Sequence, residues 1–176
     1  MGFGELMKVK GFEIRKDMSS WVVDRFESES NVLEVHVNTV NVTKKDVERI
    51  LGVKSGTIDI GEFLVKGNCE PEIEMELNLQ LEEGMIGLAN LCEMLLSMGS
   101  SDQEFKVKVM LYMIGKFLSP MIKASVRRSW LGLIKSMEKI RELKWEKFII
   151  DSQAIGIRKR KKLNKPGSPV VFTFLW

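Results

Sequence analysis

Apolar and polar residues alternate along this chain with two different periods. Trp21, Val22, Arg25 and Phe26 follow an i, i+1, i+4, i+5 pattern after Ser19 and Ser20, which predicts a short helix with an aromatic inner face. "VLEVHVNTVNV", Val32 to Val42, alternates around Asn38 and Thr39 and predicts a small β-hairpin near residues 32–42. Thr43 is a capping residue with Asp46 three positions on. Val47, Ile50 and Leu51 then make one apolar face, and Gly52 stands where a helix would stop.

Period two is strictest in "EIEMELNLQLEE", where Ile73, Met75, Leu77, Leu79 and Leu81 face one way and acids and amides the other. It is expected to be a half-buried strand with a negative outer face. Glu and Leu also favour helices, so a helix is the alternative at 72–82. From Met85 the period becomes helical: Ile86 to Leu96 before Gly99, then Phe105 to Phe117 before Pro120, predict two mostly buried helices. Ile122 to Ile150 reads as two more helices with a break before Trp145, and "KPGSP" as a loop that Ser168 and Pro169 close by starting a terminal helix. The expected fold class is α+β, predominantly α-helical, in a single domain over residues 1–176.

Composition supports a packed core: 176 residues, 44% hydrophobic and 29% charged, are those of an ordinary globular protein. The net charge of +3 conceals a strong asymmetry. Glu70 to Glu83 holds six acids and no base, whereas Lys135 to Lys165 holds eleven bases against four acids. Two cysteines, Cys69 and Cys92, make no disulfide framework and no CxxC metal or redox motif. With no leader-like N-terminus and no apolar run long enough to span a bilayer, the expected setting is a reducing interior compartment, not secreted and without membrane contact.

Candidate chemistry is sparse. His36, Asp59 and Cys92 occur in the chain order of some cysteine proteases, yet Cys92 lies within "LANLCEMLL", an apolar helical face where a small buried hydrophobe is expected. "IGK" at Ile114 to Lys116 lacks the upstream glycine of a phosphate-binding loop, and "SMEK" lacks the companion motifs of a serine hydrolase. "TKKDVERILGVKSGTIDIGEFL" resembles a helix-turn-helix in outline. Glu48, however, occupies the place of the small residue at the helix contact, and acids would face the phosphates. No catalytic residue, metal ligand or cofactor is expected.

The strongest signal is "GIRKRKKLNK", in which Arg158, Lys159, Arg160, Lys161, Lys162 and Lys165 crowd into eight residues. Three readings are open: a solvated helix end where cations favour the dipole, a nuclear-import signal, and nonspecific contact with nucleic-acid phosphates. Trp145 and Phe148, upstream at i and i+3, are expected to anchor that helix in a core.

"GFGELMKVKGFEI", "WVVDRF", "LEVHVNTVNVTKKDVERILGVKSG", "IGKFLSP", "WEKFIIDSQAIGIRKRKK" and "SPVVFTFLW" together resemble, in order, the segments of the plant mobile domain. This is the transposon-associated domain also labelled aminotransferase-like and found ahead of ubiquitin-like-specific protease domains. The resemblance spans the chain apart from residues 63–104, which read as divergent or shortened. Lys54 and Ser119 depart from the family's usual proline and cysteine, and the end at Trp176 reads as a truncated copy. The resemblance implies a nuclear, α-rich domain derived from mobile elements, without catalytic residues of its own. Its expected role is non-enzymatic, as an interaction module contacting nucleic acid or chromatin, or an import receptor, through the basic block. The alternative is a protein-interaction or regulatory region of a ubiquitin-like-specific cysteine protease.

Overall fold

The computed structural model describes residues 16–53, 56–61, 64, 71–99, 103–119, 121, 123–134 and 137–163. The elements in chain order are α1 (Lys16–Arg25), β1 (Phe26–Glu27), β2 (Val32–Val35), β3 (Asn38–Asn41), α2 (Lys44–Leu51), α3 (Pro71–Glu76), β4 (Leu81–Glu82) and β5 (Met85–Gly87). These are followed by α4 (Leu88–Ser97), α5 (Gln103–Met113) with a π-helical continuation (Ile114–Leu118), β6 (Ser125–Arg127), α6 (Trp130–Ile134), a 3-10 turn (Met137–Glu142) and α7 (Trp145–Leu163). The protein is therefore α+β and mostly helical, with two three-stranded antiparallel sheets. Its contacts fall into two compact units, residues 1–57 with 144–176, and residues 58–143.

In the first unit α1 starts before Ser19 and Ser20, both of which lie inside it. Its inner face is Val22 and Val23, joined by Phe26 at the start of β1, while Trp21 turns outward with Arg25 stacked 5.4 Å from its ring. The expected aromatic inner face is thus reduced to Phe26. The hairpin near 32–42 is present, but its turn is His36-Val37 and not Asn38-Thr39, since Val35 pairs with Asn38 and Val32 with Asn41. His36 takes a left-handed φ of 54°, which histidine tolerates better than the β-branched residues around it. β1 adds a third strand through Phe26↔Leu33.

α2 follows the sequence expectation throughout. Asp46 Oδ2 accepts from the Thr43 N–H at 3.0 Å and from its hydroxyl at 2.7 Å, and the Asp46 N–H donates back to Thr43 Oγ1, forming a capping box. Gly52, at φ 65°, ends the helix with its N–H on the Glu48 carbonyl. α7 packs on α2 and α1, and its Ile157 completes a core cluster with Val22, Val23 and Phe26.

In the second unit the stretch 72–82 is not the strand preferred from sequence; its first part takes the alternative, a helix, and only Leu81 and Glu82 are in a strand. Residues Pro71–Glu76 are a helix, with proline at its first position. Asn78 closes it in a left-handed conformation (φ 49°), with the Leu79 N–H on the Glu74 carbonyl and the Asn78 N–H on the Met75 carbonyl. Leu77 and Leu79 are buried because the chain wraps back at this cap, while Met75, on the supposed inner face, is 74% exposed. Nor do the acids form one solvated face, for Glu74 pairs with Arg128.

β4 and β5 turn through Glu83 (φ 52°) and Gly84 (φ 74°), the pair of positive values a two-residue primed turn needs. β5 takes the place of the helix start expected at Met85, and β6 pairs with it through Ile86↔Val126. α4 and α5 are the two expected helices and pack on each other, with Leu91 of α4 and Met110 and Leu111 of α5 fully buried. The break before Trp145 lies where expected, but the helix expected ahead of it from Ile122 is replaced by β6, the short α6 and the 3-10 turn. The terminal "VVFTFLW" helix falls outside the described residues.

Candidate nucleic-acid interface

The basic block forms the last turns of α7. Trp145, Ile149, Ile150, Ala154 and Ile157 are buried along one side of this helix. Trp145 is buried and meets Phe148 edge-to-face at 6.3 Å, whereas Phe148 is half-buried, so of the two expected anchors only Trp145 lies in the core. Residues three and four positions apart share a helix face, so Arg160 and Lys161 follow Ile157 toward the body of the unit. Arg160 Nη2 donates to Ser20 Oγ of α1 at 3.1 Å, and Lys161 Nζ donates to the Phe26 carbonyl at 2.9 Å. Two of the five consecutive cations, Arg160 half-buried and Lys161 exposed, are therefore bonded within the unit, where they tie the end of α7 to α1 and to the start of β1.

The other three follow Ile155, which is 48% exposed on the opposite side. Arg158, Lys159 and Lys162 stand three, four and seven residues beyond it, all exposed, and take no partner among the described residues. No acid follows Asp151 in the helix, and Asp151 itself lies 3.9 Å from Lys147. With a rise of about 1.5 Å per residue, the Arg158 and Lys162 side chains leave the helix roughly 6 Å apart along its axis. The helix C-terminus favours the same cations, so this stripe is cheap to maintain as well as free to bind. Lys165 lies outside the described residues. Ser20, the Phe26 carbonyl and Ile155 were not singled out from sequence, although Ile157 marked the direction in which Arg160 and Lys161 would point.

The remaining candidates do not assemble. His36 sits exposed on the hairpin turn of one unit, while Asp59 and Cys92 belong to the other. Asp59 Oδ1 accepts from the Gly61 N–H at 2.9 Å. Cys92 is half-buried on α4, not fully buried as expected, and it neighbours Tyr112, whose phenol is pushed above its ordinary range by burial and then by that thiol. Cys69 is outside the described residues. Among the described residues no three His, Cys, Asp or Glu come together as a metal site, and no helix is long and apolar enough to cross a membrane.

No curated protein and no solved structure matches the chain. A family model described as "Domain of unknown function (DUF8566)" does, over residues 1–172, and the chain belongs to that family.

Proposed function

We propose that this protein is a non-enzymatic interaction module that contacts nucleic-acid phosphates through the outer face of α7, with Arg158, Lys159 and Lys162 as the contacting cations and Lys165, outside the described residues, as a further one. The observation that carries the reading is the three-cation stripe left without partners among the described residues after Arg160 and Lys161 have bonded within the unit. Such a stripe supplies charge without base-reading geometry, which suits sequence-independent binding. A nuclear setting, and kinship with the plant mobile domain, belong to the same proposal and rest on the ordered sequence resemblance alone.

The test is binding of a labelled 20-base-pair duplex at two salt concentrations. Three phosphate contacts give a slope of about −2.7 in log K against log salt, or roughly a 40-fold loss of affinity between 50 and 200 mM. Arg158→Gln/Lys159→Gln/Lys162→Gln should flatten that dependence, while Arg160→Gln/Lys161→Gln should keep it. A slope unchanged in the triple variant, or no binding at low salt by the parent protein, removes the proposal and leaves the block as an import signal or a dipole-matched helix end.

A further inference from the structure

We propose that the free edge of the first unit's sheet docks an extended peptide of a partner protein, apolar at alternate positions and acidic at its flank. Among the described residues the strand order β1-β2-β3 leaves β3 paired on one side only, and all four of its residues are exposed. Such an edge presents unpaired N–H and C=O groups, which proteins ordinarily protect with lysine, proline or a bulge. Asn38, Thr39, Val40 and Asn41 carry none of these protections. A strand is what such an edge is shaped to accept.

The cleft beside the edge says what the strand should carry. Phe26, Leu33 and Val40 line up across the three strands through the pairs Phe26↔Leu33 and Leu33↔Val40. This row faces Val22, Val47 and Ile50 across an open cleft of about 290 Å³. A fourth strand beside β3 would lay every second side chain on that same face, next to Val40, which is 49% exposed for want of a neighbour. Apolar side chains at alternate positions therefore fill the cleft.

Charge selects the flank. Lys44 and Lys45 are exposed just past the strand, at the start of α2, and Arg49 stands on the cleft rim. Asp46 caps Thr43 through Oδ2 and pairs with Arg49 Nη2 through Oδ1 at 3.1 Å, on a guanidinium that stays exposed, so Lys44 and Lys45 supply the charge left uncompensated there among the described residues. Across the sequence of this unit seventeen Lys or Arg meet eleven Asp or Glu, against ten and thirteen in the other. Acidic residues beyond the apolar core of the peptide would meet Lys44, Lys45 and Arg49. A second copy of the chain is a poorer fit, since four paired residues and one cleft fall short of the roughly 800 Å² per partner that a stable interface buries.

The experiment uses a fluorescein-labelled peptide with Val and Ile at alternate positions followed by three Glu, compared with the same peptide ending in three Lys. The Glu-tailed peptide should bind at least about tenfold more tightly. At saturation it should shift the amide resonances of Asn38 to Asn41. Val40→Lys places a charge at a position already half open, and should abolish binding with the circular dichroism unchanged. Arg49→Gln should reduce the preference for the acidic tail. Undiminished binding by Val40→Lys, or no shift at Asn38 to Asn41 with millimolar peptide, overturns the proposal. It is also overturned if those amides shift when the protein alone is concentrated, because a second copy then covers the edge. Slow hydrogen exchange at β3 in the dilute free protein overturns it too, because the chain then covers the edge itself.

Discussion

Gly115 and Gly156 both lie in helical backbone, yet adding one methyl group should move stability in opposite directions. A Cβ on Gly115 would fall 2.6 Å from Leu88 Cδ2 and 3.2 Å from Val126 Cβ. Leu88 and Val126 are buried, the second on strand β6, so neither retreats freely. Overpacking of this kind costs about 1–3 kcal/mol. Alanine's helix propensity returns up to about 1 kcal/mol, leaving Gly115→Ala roughly 0–2 kcal/mol less stable. At Gly156 nothing lies within 4 Å, and Gly156→Ala should stabilise by about 0.5–1 kcal/mol through propensity alone. Urea titration followed by circular dichroism reads both signs. Leu88→Ala removes the first clash, so in that background Gly115→Ala should cost at least about 1 kcal/mol less than it does alone. If Gly115→Ala is stabilising, or adds to Leu88→Ala without coupling, the close approach of the π-helical turn to α4 is not the reason for this glycine.

Replacing Arg160 or Lys161 by Gln should each lower stability by about 1–2 kcal/mol in the same titration while leaving the salt slope of DNA binding in place, since each loses a charge-assisted hydrogen bond to α1 or its end. Asn78→Gly should be neutral or slightly stabilising, and Asn78→Ala destabilising by about 1 kcal/mol, because the φ of 49° penalises a Cβ that has no side-chain amide to compensate. The Thr43 hydroxyl, followed by the Thr43 N–H, holds the Asp46 carboxyl below its ordinary range. A depressed folded-state value contributes stability above the unfolded value and loses it as pH falls through the folded one. The stability difference between the parent protein and Asp46→Asn should therefore be present at neutral pH and vanish in acid below the ordinary carboxylate range. A difference that persists there would show that the capping carboxylate does not act through its charge.

Legibility from sequence depended on how local the determinants were. α2 was readable to the residue because Thr43, Asp46 and Gly52 act within one turn of the helix ends they set. The stretch Ile73 to Leu81 is ambiguous in sequence because its period of two runs across a helix end, a cap and the start of a strand. Leu77 and Leu79 are buried around the cap made by Asn78, and only Leu81 and Glu82 are in a strand. Pro71 and Asn78 were the available signals, a first-turn proline and a residue able to take positive φ seven positions later. The hairpin turn was displaced by two residues because alternation alone does not say where a strand reverses; His36 had to accept positive φ, and nothing nearby marks it. β1 and β6, two and three residues long, are too short to carry a period at all, and owe their existence to the partners they pair with.

The basic block was legible as a charge but not as a division of labour. Five consecutive cations on a helix cannot all face solvent if the helix packs by one side, so the question is which of them the packing captures. Ile157 answers it, because the side that buries Ile150, Ala154 and Ile157 also carries the positions of Arg160 and Lys161. Those two find Ser20 and the Phe26 carbonyl and become part of the fold. Deleting the whole block would therefore mix two effects, a loss of binding charge and a loosened end of α7, and would exaggerate the share owed to phosphate contact. Separating Arg158, Lys159 and Lys162 from Arg160 and Lys161 divides them: the first set should move the salt dependence with little change in unfolding, and the second should move unfolding with little change in salt dependence.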